Sequence, residues 1–327
     1  MAGVIGQGGT SLDVIGVPFD LCGKRPGSAL GPAAIRYAGL SETLTSLGMK
    51  VFDCGDLAAQ GPSTEPRGLR NFAPMLSVVE SLRDAVSSSL SAGRTPLVLG
   101  GEHTIVAGGI SAALDHFGDG LALLWIDAHT DVNSPATSDT GNLHGMPVAA
   151  LAGIPSGRNG QVDAEWCRLL SSLGPTRLKL ERTGWIAIRD VDPGERPNLH
   201  GLTLTMHDID RHGVVASMER VDAWLRAIGA SHVWISFDVD ALDPILAPGT
   251  GTAVRGGLSY REAHLCAELL SESFSAPDCP FRLAGVDLVE TNPLADANNA
   301  TAVMAVEWIA SLFGKTILGK SSKEAWV

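Results

Sequence analysis

Asp127, His129 and Asp131 occupy alternate positions in IDAHTDVN, directly after the apolar run LALLW. In an extended segment that spacing points all three side chains to one side, so two carboxylates and an imidazole can converge on a metal ion. The same parity recurs in DVDALDP, where Asp238 and Asp240 follow the run VWISF, and a third polar pair, Glu102-His103, follows PLVLGG. The six candidate ligands, His103, Asp127, His129, Asp131, Asp238 and Asp240, exceed what one ion needs and suit two ions sharing bridging carboxylates. Four carboxylates and two imidazoles without a thiolate favour a hard or borderline octahedral ion such as Mn²⁺ over structural zinc. Paired ions about 3.5–4 Å apart hold a water between them and lower its pKa towards neutrality, so the chemistry implied is hydrolysis. Each motif alone has a plainer reading, since a DxD after a strand is often a turn or a helix cap. The density of like charge in DAHTD decides for a metal, because burying it is costly unless a cation neutralises it.

Some framework must bring these segments together. Short, apolar, β-branched runs near 12–17, 50–53, 96–99, 121–126, 184–188, 202–206, 232–237 and 281–287 read as strands. Helix-period segments lie between them, from Pro32 to Gly48 and over 69–92, 104–117, 214–228, 259–273 and 298–313. Such alternation forces parallel strands with crossover helices, as a barrel or as an open doubly wound sheet. Both architectures put chemistry at the C-terminal ends of strands, where the polar clusters fall. No linker, repeat or low-complexity block divides the chain, so one domain over 1–327 is expected.

Composition narrows the partners. A formal net charge of -12 leaves no excess of Lys and Arg for displacing counterions from a phosphate backbone, which argues against nucleic acid. No run approaches the roughly 18 apolar residues of a membrane span, and the opening segment MAGVIGQGGTSLDVIGVPFD has no basic stretch leading into an apolar one. The five cysteines, Cys22, Cys54, Cys167, Cys266 and Cys279, are scattered without CxxC spacing and read as buried, reduced thiols of a cytoplasmic protein.

The segments GGEHT (100–104), IDAHTDVN (126–133), GNLHGMPVA (141–149), SFDVDALDP (236–244) and VDLVETNP (286–293) resemble the ureohydrolase family in order and spacing over most of the chain. RDVDPGE (189–195), GTGTAVRGGLSYRE (249–262) and VIGVPFD with GPAAIRYAGL are similar to the arginase branch in particular. The resemblance implies a three-layer αβα fold around an eight-stranded parallel sheet, two manganese ions per subunit, and a homotrimer or homohexamer. It places one ion on His103, Asp127, Asp131 and Asp238 and the other on Asp127, His129, Asp238 and Asp240. Asp127 and Asp238 would bridge, and Asp131 would orient a metal-bridging hydroxide that attacks a guanidinium carbon. By the same resemblance His144 is a proton shuttle and Glu290 the carboxylate that pairs with the guanidinium group. Asn133 and Thr140 match contacts to the α-carboxylate of L-arginine, Asp192 matches one to its α-amino group, and Glu195 and Thr252 are second contacts.

Three alternatives differ at named residues. A ureohydrolase for agmatine, 4-guanidinobutyrate or another guanidino compound would keep the metals and change the outer pocket. RDVDPGE argues against it, and Asp139, an acidic residue beside the carboxylate-binding segment, argues for it. A non-catalytic metal-binding relative would need neither His144 nor Glu290. A dinucleotide-binding protein would carry G-x-G-x-x-G after its first strand, whereas Gly100-Gly101 follows the third and leads into a histidine. His116, His200, His207, His212, His232 and His264 lie outside the ligand clusters, and Trp125 and Trp234 are expected to be core residues of the sheet.

Overall fold

The computed structural model describes residues 10–63 and 68–317. Residues 1–9, part of the opening segment in which no leader is expected, lie outside them. All eight expected strands form: β1 (Ser11–Val17), β2 (Lys50–Asp56), β3 (Thr95–Gly100), β4 (Leu121–Ile126), β5 (Thr183–Ile188), β6 (Leu202–Thr205), β7 (His232–Asp238) and β8 (Arg282–Val289). They pair in parallel in the order β2-β1-β3-β8-β7-β4-β5-β6, so the sheet is open, with β2 and β6 at its edges, and is not a barrel.

Every residue of β3, β4 and β5 is buried, which is why these strands read as continuous apolar runs. Their side chains alternate between two cores. Leu121, Leu123 and Trp125 join one cluster with α3 (Phe72–Ser91), α4 (Val106–Phe117), α5 (Pro147–Ala152) and α6 (Gln161–Ser172). Ala122, Leu124 and Ile126 join the other with α1 (Gly31–Tyr37), α2 (Leu40–Ser46), α7 (Met206–Ala227), α8 (Tyr260–Ser275) and α9 (Ala300–Leu312). Helices therefore cover both faces, giving the expected three layers. No helix among the described residues is long and apolar enough to cross a membrane.

Several boundaries differ from expectation. The Pro32 to Gly48 segment divides into α1 and α2 around Gly39, whose φ of 87° no continuing helix allows. α7 begins at Met206, with Thr205 and Asp208 forming a reciprocal cap, and breaks at Gly213 (φ 79°). α6 lies outside the expected segments although Val162, Trp166, Leu169 and Leu170 follow helical spacing; of its residues only Trp166 and Leu169 are buried. The cysteine expectation also needs correcting. Cys22 and Cys266 are buried, but Cys54 and Cys167 are exposed and Cys279 is half-buried. Cys54 lies on edge strand β2, of whose residues all but Val51 are exposed, and Cys167 on the outer face of α6.

In sheet order β3, β8, β7 and β4 are neighbours, so the segments leaving their C-terminal ends meet. Gly101 serves this meeting by close approach. Its amide donates to Val17 O (3.0 Å), and a Cβ there would lie 2.2 Å from Phe19 O. The chain after β3 is thereby pressed against the chain after β1 just before Glu102 and His103.

Candidate active site

His103, buried at the end of β3, forms the centre of the first cluster. Its Nδ1 faces Asp127 Oδ2 at 3.1 Å, Asp131 Oδ2 at 3.1 Å and Asp238 Oδ2 at 3.3 Å. His129 forms the centre of the second, with Nδ1 3.3 Å from Asp127 Oδ1 and 3.1 Å from Asp240 Oδ2. Two donor groups result, His103-Asp127-Asp131 and Asp127-His129-Asp240, with Asp127 giving one oxygen to each.

These residues converge, but not by strand parity. β4 stops at Ile126, the next residues bend, and Asp131 adopts a left-handed φ of 49°. β7 stops at Asp238, and Val239–Ala241 form a short 3₁₀ turn. In each pair the first carboxylate caps the backbone of the second member: His129 N donates to Asp127 Oδ1 (2.7 Å) and Asp240 N to Asp238 Oδ1 (2.7 Å). A pleated continuation would spread the ligands along the chain; the turns gather them. Asp131 and Glu290 (φ 62°) are held in a conformation costly for non-glycine residues, and both face the cavity.

The donor set fits divalent metal. Ser236 Oγ has one hydroxyl proton, donated to Asp287 Oδ1 (2.6 Å), which is a carboxylate and can only accept while ionised. Ser236 Oγ, 2.8 Å from His103 Nε2, therefore accepts from that nitrogen. A neutral His103 then turns the bare lone pair of Nδ1 towards three carboxylate oxygens, and both Nδ1 and Asp127 Oδ2 are buried without a hydrogen-bond partner. A cation satisfies every one of these atoms at once. Without it, protons must do so. Burial, followed by neighbouring carboxylate charge, pushes Asp131, Asp238 and Asp240 up. Burial alone would lower His103, but the surrounding aspartates drive it well above its usual range.

Outer groups hold the candidate ligands in place. Trp125 stacks on His103 with ring centroids 4.0 Å apart, and Trp234 Nε1 donates to Asp287 Oδ2 (2.6 Å), so the expected core tryptophans are indeed buried and also support the site. The Arg189 guanidinium donates to the carbonyls of Asp240 (2.5 Å) and Val254 (2.8 Å), tying the Asp240 turn to the loop that carries Thr252. Thr252 Oγ1 donates in turn to Asp240 Oδ2 (2.8 Å). Asp287 is the outer group with the most at stake, since it alone fixes Ser236 and hence the tautomer of His103. Asp287→Asn is expected to weaken metal retention about 10- to 100-fold; metal content after dialysis against graded chelator measures it, and unchanged retention would show that His103 needs no such support.

Above the clusters lies a cavity of about 180 Å³. His103, His129, Asp131 and Asp238 line its floor, with His144 and Glu290 beside them; Asn133, Thr140, Asp192, Glu195 and Thr252 also line it. Asp127 and Asp240 sit beneath, fully buried. Glu290 Oε1 accepts from His103 N (3.0 Å) and lies 3.2 Å from His144 Nδ1. Burial by itself would lower the His144 pKa, but Glu290 raises it to about 9. Asn133 Nδ2 donates to Asp192 Oδ2 (2.9 Å), joining the two expected ends of amino-acid recognition. Glu195 accepts from the amides of Val132 (3.0 Å) and Asp192 (2.9 Å); burial, then the charge of Asp131, pushes it up to about 7. Asp139 is exposed and does not line the cavity, and none of the six histidines set aside above lines it.

Sequence reasoning passed over Ser236, Asp287, Asp190, Ser138, Asn142 and Lys24. A buried serine in VWISF and a buried aspartate in AGVDLV interrupt apolar strands, and that interruption was the available signal for the first two. Lys24 and Asn142 carry none, because the cavity wall they join is assembled from distant loops.

The sequence model of the Arginase family matches residues 10–314. An arginase of Staphylococcus aureus (strain COL) is 40% identical over 316 residues, which span 94% of this chain and 98% of that protein. Among solved structures, the arginase from Bacillus caldovelox matches with a TM-score of 0.84 at 37% identity, over 94% of this chain and 99% of that one. The arginase of Entamoeba histolytica in complex with L-ornithine matches with a TM-score of 0.80 at 26% identity, over 93% and 98% of the two chains.

Proposed function

This chain belongs to the arginase family, and from that premise we propose that it is a dinuclear manganese enzyme hydrolysing L-arginine to L-ornithine and urea. The observation that carries the reading is the pair of donor groups sharing Asp127 under a cavity flanked by His144 and Glu290. His103, Asp127, Asp131 and Asp238 would hold one ion, and Asp127, His129, Asp238 and Asp240 the other. When bound, the ions supply a water acidic enough to attack a guanidinium carbon near neutral pH.

The remaining steps belong to side chains. Glu290, anchored through Oε1, offers a carboxylate matched to a planar guanidinium and holds the substrate carbon over the floor. Asp131, part of that floor, orients the attacking water. His144, protonated below about 9, hands a proton to the departing amine. At the outer end Asn133 and Thr140 donate to the α-carboxylate while Asp192 receives the α-amino group. Glu195 serves the same end by positioning, since it holds the Asp192 amide, whereas Thr252 positions the carboxylate of Asp240 beneath the floor. The reading includes a single domain over 1–327, a cytoplasmic location, consistent with the free cysteines, and a homotrimer or homohexamer, which rests on family resemblance.

Asp139 no longer favours a substrate lacking a carboxylate, because it lies outside the cavity wall. The test is urea release by the manganese-loaded protein from L-arginine, agmatine and 4-guanidinobutyrate. L-arginine is expected to lead in kcat/KM by about 100-fold or more, since buried polar groups left unpaired by an analogue penalise it heavily. Preference for either of the others would reject the substrate and keep the metal chemistry, and no urea from any would favour a non-catalytic relative.

A further inference from the structure

Among the described residues that line the cavity, Lys24 is the one lysine or arginine, and six carboxylates stand beside it: Asp131, Asp190, Asp192, Asp238, Glu195 and Glu290. Two divalent ions would balance the inner ones. At the rim, however, the exposed Asp190 and Asp192 leave a negative field that opposes an incoming carboxylate. The neutral donors there cannot reverse it, and one of them, Asn133, already gives an amide hydrogen to Asp192. Lys24 itself has no ion-pair or hydrogen-bond partner among the described residues, and its side chain is exposed.

The loop beneath it is built and held. Asp20 Oδ2 accepts from Gly27 N (2.5 Å) and Ala29 N (3.3 Å). Asn292 Nδ2 donates to Pro26 O (3.0 Å), and Cys22 N donates to the buried Glu102 Oε1 (3.2 Å). The backbone on either side of Lys24 is thus tied to the segments that follow β3 and β8, while the ammonium group is left free. A fixed backbone with an unpaired cation at the mouth of an acidic cavity is suited to capturing an anion carried by the substrate.

We infer that Lys24 is a specificity-determining residue whose ammonium group pairs with the α-carboxylate of the amino-acid substrate. The inference rests on the L-arginine reading above. Pairing a partly solvated ammonium with a carboxylate separates L-arginine from agmatine, which carries the same guanidinium and no carboxylate.

The experiment compares wild type, Lys24→Met, Lys24→Arg and Lys50→Met, all manganese-loaded, with L-arginine and with agmatine. Lys50, exposed on edge strand β2, controls for the same change in net charge. For Lys24→Met the KM for L-arginine is expected to rise about tenfold, with kcat and the agmatine kcat/KM within about twofold of wild type. Lys24→Arg should keep most of the affinity, and Lys50→Met should change neither substrate. L-ornithine binding by calorimetry should weaken in Lys24→Met while putrescine binding does not. Equal losses for both substrates, or none for L-arginine, would overturn the role of Lys24 while wild-type arginine hydrolysis left the parent reading intact. A wild type that prefers agmatine would overturn both.

Discussion

Replacing Asp127 by Asn is expected to empty both metal positions and to lower urea production from L-arginine by a factor on the order of 10³ or more. The reason is geometric. Asp127 Oδ2 lies 3.1 Å from His103 Nδ1 and Oδ1 lies 3.3 Å from His129 Nδ1, so one side chain serves both donor groups. His103 and Asp131 belong to one group only, and His129 and Asp240 to the other. Their loss should spare one ion at least in part. The asparagine keeps the volume and the oxygen that caps His129 N, so the fold should persist. Metal content by atomic absorption, beside circular dichroism to confirm folding, gives the answer. Full metal occupancy with an intact fold would remove Asp127 from the shared position and with it the dinuclear reading.

His144→Asn should behave differently, lowering kcat by about 10²- to 10³-fold while both ions stay bound, because a positioned proton donor contributes about that much. His144 touches Glu290 and lines the cavity but belongs to neither donor group. The sign of its pH dependence follows from its environment. Burial lowers the imidazole, and the hydrogen bond and charge of Glu290 override burial and raise it to about 9. The protonated form, needed for donation to the amine, is present below that value and lost as pH rises through it. Wild-type turnover should therefore decline on the alkaline side, and the variant should lack that limb. Rate profiles with matched metal content measure this; normal turnover across pH would take His144 out of the mechanism.

The ligand types were legible because metal chemistry restricts them. Carboxylates and imidazoles packed after apolar runs have few other uses, and every one of the six proposed ligands lies in the two clusters or directly against them. The strands were legible for the related reason that a doubly covered parallel sheet demands uninterrupted apolar runs, as in LALLW and VWISF. Periodicity could not choose between barrel and open sheet, since both bury the same runs. That choice lies in which strands pair, and β3 finding β8 is a contact between residues far apart in sequence.

The same divide runs through the site. Parity suggested convergence for the wrong local reason: Asp131 turns through a left-handed backbone costly for a non-glycine residue, its carbonyl accepting from Val148 N, and the turn at Asp240 is tied to the chain after β4 by Ala128 N donating to Asp240 Oδ1. Residue identity and local order determined the reaction class, the candidate ligands and the strand ends on which they sit, since coordination chemistry and apolar burial act through composition and short spacing. Which oxygen of Asp127 faces which histidine, the Ser236-Asp287 link that sets the His103 tautomer, and the placing of Lys24 in the cavity wall were decided only by the folded chain. Each depends on distances between loops remote in sequence, and such distances exist only once the sheet has assembled.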